Sequence, residues 1–350
     1  MTDQTTAVDR DATTLDRILG SFYGVALGDA MGMPSELWPR RRVLAHFGEI
    51  TGFLPGPDGH FVVDGYVAGQ VTDDTQQTLM LAGAIIAEDG RVVAETVAKH
   101  IVAWADRVGA SEGSFLGPSS ARAIEALRNG ASPWETGKTG ETNGASMRIA
   151  AVGVMSRTDD LLSLVDRVEA ACVASHHTDV AISGASLIAG AIAAAMESPV
   201  AADLEARLDG VLETAYAAAA LGFERGERVV AASVVARAKL AVQLARKANS
   251  DAEFLQELYD LVGASVATTE SVPAALGLFV RAGGHPVRSS YLAANLGGDT
   301  DTIGAMVGGI CGAFSGYVAI PAEYIDTLNE VNELGIEEIA EHFLEYRDRR

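Results

Sequence analysis

Apolar residues recur every three to four positions along most of this chain, the spacing that gathers them on one face of an α-helix. The segments that fit are residues 15–30, 75–87, 92–108, 119–129, 161–175, 179–197, 204–221, 229–246, 251–261, 271–281, 286–295 and 301–317. Ala, Leu, Glu and Arg, all good helix formers, dominate them. Clusters of Gly, Pro or Ser at 109–113, 130–133, 198–199, 222–226 and 283–286 separate the helices. Only residues 53–71, where Gly and Pro alternate with Phe, Val and Tyr, have extended character, fitting a hairpin or a long loop. No repeat or linker interrupts the pattern. It therefore predicts a short flexible segment, residues 1–14, followed by one compact all-α domain over 15–350.

Two acidic motifs stand out against this background because each opens a strongly apolar segment. They are Val-Thr-Asp-Asp-Thr at 71–75 and Gly-Gly-Asp-Thr-Asp-Thr at 297–302. Either one alone would serve as a helix N-cap, since Asp and Thr oxygens accept from the free N–H groups of a first turn. Together they offer Thr72, Asp73, Asp74, Asp299, Asp301 and Thr302. Oxygen donors without His or Cys suit Mg²⁺, Mn²⁺ or Ca²⁺ better than Zn²⁺. A shared metal site needs the two motifs to meet in space, which argues against a domain boundary between them.

Composition narrows the function. A net charge of -21 and pI near 4.6 disfavour a general nucleic-acid or anionic-membrane surface. Two cysteines, Cys172 and Cys311, form no disulfide framework or zinc pattern, and the polar start of the chain lacks the apolar core of a signal peptide. A cytoplasmic monomer is expected. Residues 302–322 carry no charge and are long enough to span a bilayer. They also contain Pro321 and a glycine every fourth position, Gly304, Gly308, Gly312 and Gly316, which reads as a smooth stripe on a buried central helix.

Three further places invite chemistry. Gly24, Gly28 and Gly32 mark a close helix crossing, after which Pro34 ends the helix and leaves Glu36 in a loop. Residues 142–148, Thr-Asn-Gly-Ala-Ser-Met-Arg, combine a turn with small residues whose N–H groups suit a phosphate or sugar hydroxyl. His176 and His177 open the longest Ala-rich helix, and because adjacent histidines point in different directions they fit a single polar contact to a ligand and not joint metal ligation. No nucleophile elbow, Walker loop or His-Glu-x-x-His helix is present.

Taken in order, Gly28-Asp29-Ala-Met-Gly32-x-Pro34-x-Glu36, Gly69-Gln-Val-Thr72-Asp73-Asp74-Thr75, Asn143-Gly144-Ala-Ser-Met147-Arg148, Ser175-His176 and Gly297-Gly-Asp299-Thr-Asp301-Thr302-Ile-Gly304 resemble the motifs of the ADP-ribosylglycohydrolases. These include the dinitrogenase-reductase-activating glycohydrolase and certain jellyfish crystallins. The resemblance covers residues 18 to 316. It implies an orthogonal all-α fold with two Mg²⁺ or Mn²⁺ ions at the bottom of a cleft, held by Thr72, Asp73, Asp74, Asp299, Asp301 and Thr302. It further implies catalytic work for Glu36, Asp73 or Asp74, and an ADP-ribose cleft lined by Gly117, Thr142, Asn143, Gly144 and His176.

The implied activity is hydrolysis of the glycosidic bond between ADP-ribose and a protein side chain or small acceptor. Members acting on ADP-ribosyl-arginine carry an extra acidic residue after the second helix. This chain reads Ser114-Phe115-Leu116-Gly117-Pro118 there, with only Glu112 upstream. The acceptor therefore stays open between arginine, serine and small metabolites. A hydrolase of another ribosyl or nucleoside compound, or a silent ADP-ribose-binding or structural relative, are the alternative readings.

Overall fold

The computed structural model describes residues 2–109 and 117–349, with side chains from residue 13 onward. Among the described residues there are 18 α-helices and two 3₁₀ turns but no strand, and the all-α expectation holds. Three isolated bridges tie loops together: Trp38 with Gly298, Thr142 with Ala267, and Thr178 with Glu227. The predicted helices are present with shifted ends. Helices Arg40–Phe47, Pro133–Thr136, Gly144–Met147, Ala150–Met155, Ala322–Val331 and Ile336–Asp348 add to them. Residues 53–71 form a turn-rich loop closed by Gly56 N–H donating to the carbonyl of Tyr66 at 3.0 Å.

The first helix, Thr2–Gly32, takes in most of the segment set apart as flexible, and from residue 13 onward its first buried residues are Arg17 and Ile18. Arg17 Nη1 donates to the carbonyls of Ala195 and Met196 at 2.9 and 2.7 Å, while Nη2 donates to Ser198 O at 2.7 Å. These bonds cover the end of helix Asp179–Glu197, whose carbonyls have no partner within the helix. Among the described residues that helix is the one long and apolar enough to cross a membrane, and it is wholly enclosed by protein. The uncharged 302–322 segment is shorter as a helix, Thr300–Ser315. It stops where Gly316 turns at φ 84°, a conformation that favours glycine.

Helices Thr2–Gly32 and Thr300–Ser315 lie antiparallel with their glycine stripes face to face. Gly20 meets Gly312, Gly24 meets Gly308, Gly28 meets Gly304, and Gly32 meets Thr300. A Cβ on Gly28 would sit 1.9 Å from the carbonyl oxygen of Gly304, so only glycine lets the backbones come this close. The seam brings the end of one helix beside the start of the other. Thr300 Oγ1 donates to Gly32 O at 2.8 Å, which ties the two ends together, and Ser35 Oγ donates to Ala294 O at 2.7 Å on the neighbouring helix Pro286–Ala294.

A smaller feature shows how local chemistry is balanced. Pro273 lies inside helix Thr268–Ala282 and has no N–H for the carbonyl of Thr269. Arg237 Nη1 fills that vacancy, donating to Thr269 O at 3.1 Å.

Candidate functional site

Where the glycine seam ends, a cleft opens. It is lined by Glu36, Thr72, Asp73, Asp74, Asp299, Asp301 and Thr302, with Gly117, Ser120, Thr142, Asn143 and Gly144 beside them. The two acidic motifs therefore meet, as a shared site requires. Leu37, Val62, Val63, Tyr66 and Val266 supply apolar wall. The cleft is a cavity of about 210 Å³ that opens to solvent.

Each acidic residue is placed by a nameable local cause. Asp73 and Asp74 form the first turn of helix Asp73–Ala87, capped by Thr72, whose hydroxyl accepts from Asp74 N–H at 3.4 Å. Asp29, on the first helix and fully buried, holds that turn from outside. Its carboxylate accepts from Thr72 N–H at 3.0 Å, Thr75 N–H at 3.0 Å and Thr75 Oγ1–H at 2.5 Å. Glu36 follows the 3₁₀ turn Met33–Ser35 that Pro34 initiates, and the strained left-handed Leu37 after it, φ 54°, is held by donating to Gly298 O at 2.6 Å. His60 Nδ1 accepts from the N–H groups of Val62 and Val63, so Nε2 carries the proton and donates to Glu36 O at 3.0 Å. Stacked between Trp38 and Phe61, His60 pins the 53–71 loop to the cleft rim.

The second motif does not act as a simple cap. Asp299 sits at the N-cap position of helix Thr300–Ser315 but makes no side-chain cap bond. Its Oδ2 instead accepts from Asn143 Nδ2 at 2.5 Å, and Asn143 Nδ2 also reaches Ser271 Oγ at 2.9 Å. Thr302 Oγ1 donates to Asp74 Oδ2 at 3.3 Å, joining the two motifs directly.

Electrostatically this cluster is unfinished. Burial and mutual repulsion raise the carboxyl pKa values. Asp73 is pushed up to about 7 by burial, then by Asp29 and Asp299. Asp29 and Asp299 rise to about 6, both chiefly through burial. Glu36, Asp74 and Asp301 are driven well above the carboxylate range by burial and by one another's neighbours. Three buried oxygens, Glu36 Oε2, Asp74 Oδ1 and Asp301 Oδ1, have no hydrogen-bond partner. Unpaired buried carboxylate oxygens are costly, and a hard cation is what their chemistry lacks. Among the described residues no three acidic, His or Cys side chains already close around a single point. The donors surround the cleft floor as a loose set of the right type for Mg²⁺ or Mn²⁺.

The ligand-binding expectations divide. Gly117, Thr142, Asn143 and Gly144 line the cleft, but His176 does not. It is fully buried one layer behind, with Nε2 at 2.9 Å from Thr142 Oγ1 and Nδ1 at 2.8 Å from Ser175 Oγ. Burial, then Arg148 and Arg122, hold its pKa well below the usual value, so the ring is neutral. Its edge explains Gly144, where a Cβ would lie 2.8 Å from His176 Cε1. Glu112 and Ser114 to Leu116, on which the arginine comparison turns, lie outside the described residues. Asp29, Ser120 and Tyr66 were not singled out as site residues. Asp29 offered a signal, a lone carboxylate within an apolar, glycine-rich helix.

Comparison with known proteins identifies the family and the fold. The ADP-ribosylglycohydrolase family matches residues 10–350. The uncharacterized protein YegU of Escherichia coli is 40% identical over 335 residues, 96% of this chain and 98% of its own. The ADP-ribosylarginine hydrolase Tri1 of Pseudomonas putida is 26% identical over 89% of this chain and 74% of its own. A solved structure described as an ADP-ribosylglycohydrolase-related protein complex superposes with a TM-score of 0.69 at 24% identity, covering 96% of this chain and 99% of that one, which speaks for the fold.

Proposed function

The chain belongs to the ADP-ribosylglycohydrolase family of glycosidic hydrolases, and from that premise we propose that it removes ADP-ribose from a protein side chain or small acceptor with the help of two divalent ions, Mg²⁺ or Mn²⁺. The observation that carries this reading is the convergence of Glu36 Oε2, Asp74 Oδ1 and Asp301 Oδ1, all buried and unpartnered, in one cleft.

Thr72, Asp73, Asp74, Asp299, Asp301 and Thr302 would hold the ions. When bound, such ions supply positive charge that chelates the ribose hydroxyls and polarises water or the departing bond. The protein's own share is orientation. Thr142, Asn143, Gly144 and Gly117 give a polar, small-residue wall for the phosphates and ribose, and Leu37, Val62 and Tyr66 give an apolar one. Glu36, on a turn instead of a helix, is placed to take the proton of the attacking water at Oε2, in the ionised form that cations beside it would favour. Both cysteines are free and buried, which suits the cytoplasmic setting proposed here.

The test is release of free ADP-ribose, followed by mass spectrometry, from arginine-linked peptides, serine-linked peptides and small ADP-ribosyl conjugates. Turnover of one linkage with Mg²⁺ or Mn²⁺, abolished by a chelator, is expected. Arginine belongs in the screen because Tri1 bears that name. Inactivity on all three linkages with metal bound would overturn the proposal.

A further inference from the structure

Behind the cleft lies an arginine whose position the reaction does not by itself explain. Arg148 is fully buried, and among the described residues no salt bridge reaches it. Guanidinium stays charged in a protein interior, and an unpaired buried charge is expensive. Its partners are all neutral. Nη1 donates to Gln77 Oε1 at 3.1 Å and to Gly144 O at 2.7 Å, Nη2 donates to Ser175 Oγ at 2.6 Å, and Nε has no partner.

Each bond leads to the cleft by a different route. Gln77 turns its other face to the acidic centre, donating from Nε2 to Asp73 Oδ2 at 2.8 Å. Gly144 is cleft wall. Ser175 passes to His176 and on to Thr142, also cleft wall. With Ser175 Oγ accepting from Arg148, the arrangement that leaves no fully buried hydrogen of this relay without an acceptor has Ser175 O–H donating to His176 Nδ1 and Nε2–H donating to Thr142 Oγ1. The Thr142 hydroxyl hydrogen is then free to face a ligand.

We propose that Arg148 is a positioning residue joining the two halves of the site, holding the ion-binding carboxylate Asp73 through Gln77 and the ligand wall at Thr142 and Gly144 through Ser175, His176 and its own bond to Gly144. The planar fork suits this task because one guanidinium can point donors in several fixed directions, which lysine cannot. This inference rests on the functional reading above.

Mn²⁺ binding, measured by calorimetry without ligand, and ADP-ribose binding, measured in chelator, read the two arms separately in the folded protein. Gln77→Leu should weaken Mn²⁺ binding roughly 10-fold or more, as outer-shell partners of metal ligands do, and leave ADP-ribose binding in chelator unchanged. Ser175→Ala should do the reverse. Arg148→Met should lose both and Arg148→Lys should restore neither fully. Should Gln77→Leu bind Mn²⁺ like wild type, or Ser175→Ala bind ADP-ribose like wild type, the proposed arms do not exist. Those two variants are mild enough to fold even if Arg148→Met is not. A wild-type protein that binds neither Mn²⁺ nor ADP-ribose sinks the functional reading itself, whereas wild-type binding with unaltered variants sinks only the role of Arg148.

Discussion

Gly28 and Gly304 touch through backbone alone, whereas Thr142 and Gly144 are held by a relay of side-chain hydrogen bonds through His176, Ser175 and Arg148. The helix crossing behind the acidic motifs thus rests on a seam with no side chain to rearrange, and the ligand side on side chains with a choice of partners. Close-packed backbones transmit displacement without absorbing it, while a hydrogen-bond relay can be altered one link at a time. On the function proposed above, carboxylates that would share an ion need fixed spacing, and a wall that would follow a flexible diphosphate and sugar does not.

The largest expected effect comes from breaking the seam. Gly28→Ala drives a Cβ against Gly304 O and should cost about 3 kcal/mol or more, read as a fall in Tm on the order of 5 °C. Gly83→Ala, in a helix where nothing lies within 4 Å of the new Cβ, should be neutral or stabilise by up to ~1 kcal/mol. Equal losses in both would refute the seam argument.

Next is the charge the seam carries. Asp301→Asn should reduce turnover at least about 100-fold, ~2.7 kcal/mol in transition-state terms, while the metal-free protein melts no lower, because a repelling carboxylate is gone. Thermal stabilisation by Mg²⁺ should shrink in the same variant. An undiminished Mg²⁺ effect would separate the two acidic motifs again.

On the ligand side, His176 sets a pH dependence with a definite sign. Its folded pKa lies below the unfolded value of about 6.5, so its contribution is fully present above about pH 6.5 and is lost as the pH falls toward the folded value. The stability advantage of wild type over His176→Gln, from urea titrations at several pH values, should narrow by up to about 1.4 kcal/mol per pH unit below 6.5. A gap that widens on acidification would mean the ring is held charged. The smallest effect belongs to the loop rim. Phe61, 60% exposed, should tolerate Ala within about 0.5 kcal/mol, with any consequence confined to KM.

What the sequence disclosed follows the same division. Period-four glycines and clustered carboxylates are local patterns, so the stripes at 24–32 and 304–316 and the motifs at 71–75 and 297–302 could be read directly. That the stripes face each other is a fact of three-dimensional pairing, and only the need for the motifs to meet hinted at it. His176 reads as a ligand contact from its motif, yet its burial depends on the turn at 137–144 packing over it, which no local pattern encodes. Helices Gly144–Met147 and Ala150–Met155 are too short for a 3.6-residue period to register, and helices Ala322–Val331 and Ile336–Asp348 follow a proline and a glycine-led turn that obscure their starts. Residues 53–71 were ambiguous because their order comes from His60 meeting Glu36 and Trp38, not from their own periodicity.

The glycine seam also fixes when, during synthesis, this site can exist. Thr300 bonds to Gly32 across 268 residues of chain. At roughly 5–20 residues per second, translation leaves the first helix waiting about 13 to 54 s for its partner. Throughout that interval its glycine face is uncovered and Asp73 and Asp74 stand without the second motif. A chain interrupted between residues 75 and 297 therefore yields a fragment with half an acidic centre and an open backbone groove, a species for chaperones or proteases to handle and one that no later helix can repair.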